Sequence, residues 1–441
     1  MTSVLFSPVA LGGLTFPNRI AVAPMCQYSA DDGSATDWHL QHWMMLAMSG
    51  AGMVTIEAAA VERRGRITHG CLGLYTDHNE AAAHRTLAAA RRVAQDGTRF
   101  GIQLAHAGRK ASTQRPWEGG GPLRKPEDPW ETGGPSAVPY APEWHTPTAL
   151  DAAGIERLVD AFVTAAHRAV RAGFDFIELH YAHGYLVHEF LSPLSNHRTD
   201  QWGGSPENRM RLAVSIAKAV REAVPASIPV GARISATEWT DGGFDPDEAV
   251  ALAHALKAEG IAYICASSGG NVSTAKVPLG PSYQVHLAER IRREASIATR
   301  AVGLIDDPDV AESIVADGKA DMVAFARAIL ADPRWPWRAA LRLGAHFHPV
   351  HQYARCMPLV TKWAERTQDI ARCLTPCGAG GRSLLPAPEK PARRPWPRSH
   401  EESSMLSSLR SYATDSVRRR SSVRRDRGPT MPCPPSSPPR Q

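Results

Sequence analysis

The sequence predicts an α/β protein, a (β/α)8 TIM barrel with a long lid-like insert after its third strand. Three observations predict it. Short apolar runs alternate with amphipathic runs over residues 19–345. Most of the apolar runs are rich in β-branched or small residues and are short enough for strands buried on both faces. Residues able to do chemistry gather at the ends of those runs, the face on which parallel barrels build their sites. A doubly wound sheet also alternates, but no GxGxxG run follows an early strand here.

The strands are expected at 19–26, 53–61, 100–105, 174–180, 229–235, 262–267, 298–303 and 322–326. Helices are expected at 37–49, 151–172, 206–223, 245–259, 283–293, 308–317 and 333–343. The segment 37–49 opens at a capping residue. Segments 151–172 and 206–223 repeat apolar residues at helical spacing, and Gly173 stops the former. The connection 107–148 is rich in Gly, Pro and Trp, and a connection of that length suits an active-site lid or excursion.

Of 441 residues, 43% are hydrophobic and 21% charged, as in ordinary soluble globular proteins. No apolar run reaches the roughly 18 residues of a membrane span. The first residues carry no basic, then apolar, signal pattern. Seven scattered cysteines argue against a disulfide framework and suit a reducing cytoplasm. The net charge of +6 invites a nucleic-acid reading, but its location argues against one. Residues 378–441 hold 13 Lys and Arg against 5 Asp and Glu, a net of +8, which leaves −2 on residues 1–377. A slightly acidic body makes no phosphate-backbone footprint. After about Arg355 the chain turns to Pro, Ser and Arg, as in Arg418-Arg419-Arg420-Ser421-Ser422. Such a segment buries no core and is expected to be disordered, and it looks like non-native coding, as after a frameshift. The expected organisation is a barrel over 1–355 and a tail over 356–441.

The run His180-Tyr181-Ala182-His183-Gly184-Tyr185 closes the apolar strand 174–179. Two imidazoles and a phenol at a buried strand end need hydrogen-bond partners, and a ligand with acceptor oxygens supplies them. A pair of satisfied core histidines competes with that reading. A metal pair does not, because no third His, Cys or carboxylate stands at ligand spacing. Cys26, Gln103, His106, Arg233 and Arg327 fall at matching strand ends. Together these positions outline one pocket.

Several runs carry a resemblance: Pro24-Met25-Cys26-Gln27-Tyr28-Ser29, Gly101-Ile102-Gln103-Leu104-Ala105-His106-Ala107-Gly108-Arg109-Lys110, the His180–Tyr185 run, Ser195-Asn196-His197-Arg198-Thr199-Asp200, and Asn208-Arg209. Together they resemble the Old Yellow Enzyme family of FMN-dependent ene-reductases, in its thermophilic-like branch, over about residues 4–355. The resemblance implies a barrel with FMN at the C-terminal mouth, NADPH or NADH as reductant, and an activated alkene or nitro compound as substrate. It implies that Pro24, Met25, Cys26, Ala58 and Gln103 cradle the flavin, with Gln103 on its pyrimidine edge. Arg233 stands where the family puts a cation by the reduced ring, and Gly303, Ala326 and Arg327 where it binds the phosphate. His180 and His183 correspond to a clamp on the substrate oxygen, Tyr185 to the general acid, and Tyr28 to a second hydroxyl. Cys26 corresponds to a residue that tunes the flavin, its plain alternative being a small buried apolar side chain. Trp117 lines the mouth or packs the lid.

The family's C-terminal pattern is matched by Pro349-Val350-His351-Gln352-Tyr353-Ala354-Arg355 and then breaks off. The branch implies a homodimer or homotetramer in which Arg355 reaches a neighbouring subunit. Val302 stands where one member of the branch carries an active-site tryptophan, so a wider pocket is implied. Two other classes compete. A dienoyl-CoA or amine dehydrogenase relative needs an iron–sulfur cysteine run, and Cys356, Cys373 and Cys377 are too spread for it. A flavin-less binding protein on the same barrel remains the second alternative.

Overall fold

The structure, a computed structural model, describes residues 3–358 and 361–362. A second unit, Pro376–Gln441, lies wholly outside the described residues, and so does nearly all of the tail expected to be disordered. The chain opens with a small antiparallel hairpin, β1 (Val9–Leu11) and β2 (Leu14–Phe16). Then follow β3 (Ile20–Val22), α1 (Asp37–Ala47), β4 (Met53–Ala60), α2 (Asp77–Val93) and β5 (Arg99–Ala105). The insert contributes two 3-10 turns (Gly108–Lys110 and Pro116–Glu118) and β6 (Gly133–Gly134), paired with β7 (Thr148–Ala149). After α3 (Ala152–Ala172) come β8 (Phe176–Tyr181), α4 (Leu186–Leu191), α5 (Pro206–Ala223) and β9 (Val230–Ser235). The rest is α6 (Pro246–Ala258), β10 (Tyr263–Ser267), α7 (Val285–Ala295), β11 (Ala298–Ala301), α8 (Pro308–Ala316), β12 (Met322–Phe325), α9 (Arg327–Ala331) and α10 (Trp335–Arg342).

Eight strands close a parallel barrel in the order β3-β4-β5-β8-β9-β10-β11-β12, with β12 returning to β3. This is the expected (β/α)8 architecture. The helices expected at 151–172 and 206–223 form as α3 and α5. Asp151 caps α3 by accepting from the Gly154 amide at 2.6 Å, and Gly173 ends it at φ 96°.

Two differences from the sequence reading have physical causes. The first strand ends at Val22 and not at 26, because Pro24 has no N–H to continue the ladder. The Ala23 amide makes the last bond, to the Phe325 carbonyl at 2.9 Å. A helix not anticipated, α2, follows β4. Its buried face carries one large apolar residue, Leu87, among Ala82, Ala83, Ala90, Asn79 and Thr86, which gives weak apolar periodicity. The short α4 stands between β8 and α5 and is wholly buried.

The interior is filled by pairing very small with large residues. A Cβ on Gly101 would lie 2.2 Å from the Phe176 ring, and one on Gly231 would lie 2.2 Å from the Tyr263 ring. Phe16 of the hairpin packs edge-on against Phe176, at 5.6 Å between centroids, near the start of the strands. The barrel is thereby a packed core closed at one end, which leaves the other end for a site. Among the described residues, no helix is long and apolar enough to cross a membrane.

Candidate active site

The end of β8, from His180 on, and the turn after it shape the site. His183 and Gly184 are both left-handed, at φ 63° and 71°. A Cβ on Gly184 would lie 2.2 Å from the Gly270 carbonyl, so only glycine fits there. The turn brings three rings together. His180 and His183 stand 5.2 Å apart between centroids, and His180 and Tyr185 stand 5.1 Å apart. A buried dyad braces the turn from behind. His188 Nδ1 accepts from the Gly184 amide at 2.8 Å, and its Nε2 lies 3.0 Å from Glu238.

Hydrogen bonds set the ring tautomers. His180 Nδ1 accepts from the Ala182 amide at 3.3 Å, so a neutral His180 carries its proton on Nε2. No described residue meets that Nε2. His183 Nε2 is instead engaged with Ser267 Oγ at 2.8 Å, and its amide donates to Ser235 Oγ at 2.9 Å. Burial holds both imidazoles well below their usual pKa, helped by the Arg233 cation, so both are neutral near pH 7. Burial raises the Tyr185 phenol well above its usual value, with Cys26 and Tyr28 adding to the effect. Burial likewise raises Cys26 and Tyr28, so both are protonated.

The loop after β3 is fixed by a bulge in β4. Register against β5 shifts between Ile56 and Ala58. Glu57 at the shift accepts from the Gln27 amide at 2.8 Å and lies 3.2 Å from buried His39. Tyr28 is left-handed at φ 51°, and its carbonyl accepts from Arg115 of the insert at 2.9 Å. Trp117 packs edge-on against Tyr28 at 5.9 Å while remaining 66% exposed. It therefore stands on the rim. The insert also sends in Lys110, which donates to the carbonyls of His183 and Gly270 at 2.8 and 2.9 Å. Its ammonium lies 5.1 Å from the Tyr185 centroid.

Beside these residues lies a cavity of about 490 Å³, lined by His183, Arg233, Gln284, Val302, Gly303 and Arg327 among others. Ala326 lines it too. Arg233 Nε is buried with no partner, and Arg327, exposed to solvent, stands at the cavity's edge with its guanidinium free of any described partner. Gly303 has φ 129°, and a Cβ there would lie 2.9 Å from Gln284 Nε2. Unpaired guanidinium groups around a roomy cavity suit a ligand with anionic and acceptor oxygens.

Not every expected residue lines this cavity. Ala58 and Tyr185 line a different, smaller one. Met25 packs toward His42 and Trp43. Pro24 and Cys26 lie on the loop between. Gln103 sits deeper, its Nε2 donating to Glu178 at 2.8 Å. His106 is braced at both nitrogens, by Glu62 at 2.8 Å and by the Gly108 amide at 3.0 Å, so it serves the scaffold. Lys110, Ser267 and Gln284 were missed. Lys110 lay within a recognised motif, but nothing local showed what it would reach. Among the described residues, no cluster of His, Cys, Asp or Glu could hold a metal ion.

A closed barrel with this mouth defines the class of FMN-type barrel oxidoreductases. Residues 4–345 match the NADH:flavin oxidoreductase / NADH oxidase family, and the chain belongs to it, within the Old Yellow Enzyme group. It is 43% identical over 357 residues to an NADPH dehydrogenase of Geobacillus sp. (strain WCH70), covering 80% of this chain and 99% of that protein. It is 41% identical over 358 residues to an NADPH dehydrogenase of Bacillus subtilis (strain 168), with the same coverage. Morphinone reductase superposes with a TM-score of 0.65 at 30% identity, over 79% of this chain and 91% of that one. A 2-naphthoyl-CoA reductase superposes at 0.69 and 25% identity, and the chain spans 52% of its length. The protein is thus an NAD(P)H-dependent oxidoreductase with FMN as cofactor. The unpaired Arg233 and Arg327 and the cavity beside them fit that cofactor.

The neutral histidines have a consequence for stability. His42 is held down to about 4 by burial and by neighbouring His39, and His180 and His183 are lowered as well. Unfolded, all three take up protons near their ordinary pKa of about 6.5. The unfolded state then binds more protons below that pH, so stability is complete above about 6.5 and falls as pH drops toward the folded values. Each group contributes at most about 1.4 kcal/mol per pH unit in that window. The urea midpoint is expected to be lower at pH 5 than at pH 7.5. An unchanged midpoint would mean that these histidines are charged in the folded protein.

Proposed function

We propose that the protein is an ene-reductase that takes an activated alkene, an α,β-unsaturated carbonyl or nitro compound. The observation that carries this reading is the meeting of the His180, His183 and Tyr185 rings, 5.1–5.2 Å between centroids, with no described partner on His180 Nε2 or the Tyr185 hydroxyl and with His183 lining the cavity suited to the flavin. Bound FMN supplies the hydride that NADPH or NADH delivers and the alkene β-carbon accepts. His180 and His183 hold the substrate oxygen and draw electron density from the conjugated double bond. Tyr185 gives its proton to the α-carbon, and Tyr28 orients the substrate from across the site.

In this reading Arg233 faces the ring edge that becomes negative on reduction, and Gly303, Ala326 and Arg327 take the phosphate. Pro24, Met25, Cys26, Ala58 and Gln103 frame the ring. Val302, one of the smaller residues lining the cavity, leaves room for substrate. Arg355, exposed in a 3-10 turn at His351–Cys356, is offered to a neighbouring subunit of a homo-oligomer.

The test is an anaerobic titration with NADPH, followed by 2-cyclohexenone, watched at the flavin band. Bleaching and then recolouring is the expected course. A flavin that bleaches and does not recolour would remove the enone reading and leave the family assignment intact.

A further inference from the structure

A fully buried ion pair crosses the inside of the barrel, and the chemistry above does not use it. Arg300 of β11 pairs with Glu178 of β8, and both side chains have no exposure. Glu178 Oε2 also accepts from the Tyr263 hydroxyl at 2.9 Å. Arg300 reaches Thr55 Oγ1 at 3.2 Å and lies 5.2 Å from the Tyr263 centroid. The remaining carboxylate oxygen, Oε1, accepts from Gln103 Nε2 at 2.8 Å.

Stability does not account for this arrangement. Removing two charges from water costs as much as their attraction returns, and a well-packed apolar filling is commonly at least as stable. The network does fix the direction of one group. A carboxylate paired with a guanidinium can only accept, so the Gln103 amide must turn its NH2 toward Glu178. Gln103 Oε1 is then left as an acceptor, and no described residue donates to it. Without the carboxylate, either end of the amide could face outward.

We propose that the Arg300–Glu178 pair is a positioning device that orients the Gln103 amide, so that Oε1 is presented to the N–H of the flavin pyrimidine ring. The inference rests on the reading that Gln103 meets the flavin, and its test separates the two. Three chains are compared: wild type, Glu178→Gln, and an apolar filling (Glu178→Met, Arg300→Met and Tyr263→Phe together). Each is made with Gln103 and with Gln103→Ala. The FMN dissociation constant of the full-length holoprotein is read from flavin fluorescence released on dilution, and folding is checked by thermal melting.

With Gln103 present, the apolar filling is expected to melt no lower than wild type and to release FMN about three- to tenfold more readily, the loss of one oriented hydrogen bond. In the Gln103→Ala background, the same filling is expected to change FMN affinity by less than about twofold. Glu178→Gln, which permits the amide to flip, is expected to follow the same pattern where it folds. Equal weakening in both backgrounds would mean that the pair only supports the barrel, and would overturn the proposal. So would unchanged affinity in the apolar filling when Gln103→Ala alone weakens binding. If Gln103→Ala alone changes nothing, the reading of Gln103 fails, and the proposal fails with it.

Discussion

Replacing Tyr185 by phenylalanine is expected to slow reoxidation of the reduced enzyme by 2-cyclohexenone about 10²–10⁴-fold, the usual contribution of a positioned general acid. Reduction by NADPH is expected to change far less, because that half-reaction needs no proton at the α-carbon. The substitution removes one oxygen and keeps the ring, so the 5.1 Å packing against His180 and the Lys110 contact survive. Burial raises the phenol well above its usual pKa, so the proton is in place throughout the neutral range. So weak an acid gives up its proton only to a strong base, and the carbon becomes one as the hydride arrives. Rapid-mixing measurement of the two half-reactions separates the cases. An unaltered oxidative rate would mean that solvent or another hydroxyl, Tyr28 first among them, supplies the proton.

Much of this site could be read from the sequence because its parts lie in short runs. His180, His183 and Tyr185 fall within six residues, and the strand before them is mostly apolar, broken only by Asp175 and Glu178. A parallel barrel then dictates that such a strand end faces the mouth. What could not be read depends on separations that no local pattern carries. Glu178 and Arg300 are 122 residues apart and meet only because their strands face each other across the barrel. Each read alone is a polar residue interrupting an apolar run. Ser267 and Lys110 are 84 and 73 residues from His183, and both reach it through the closure of the barrel mouth. The helix α2 escaped notice because alanine contributes little to an apolar stripe, although it packs as closely as a larger residue.

The histidine pair is expected to be unequal, and the inequality is the sharper test of the clamp. His180→Ala is expected to lower kcat/KM for the enone about 10²–10³-fold, the cost of removing one preorganised donor from a developing oxyanion. Its Nε2–H is fixed by the Ala182 amide at Nδ1 and has no competing partner among the described residues. His183 shares its Nε2 with Ser267 Oγ, so it can donate to a ligand only through Nδ1, with the serine hydroxyl turned to donate. That reorganisation consumes part of its contribution, and His183→Ala is therefore expected to cost less than His180→Ala. Both imidazoles are neutral in the folded protein, so neither loss should acquire a new pH dependence between about pH 6 and 8. Steady-state kinetics of the two variants at three pH values makes the comparison. Equal losses, or a greater loss at His183, would show that the substrate oxygen sits on the Ser267 side, and the tautomer argument for His180 would fall.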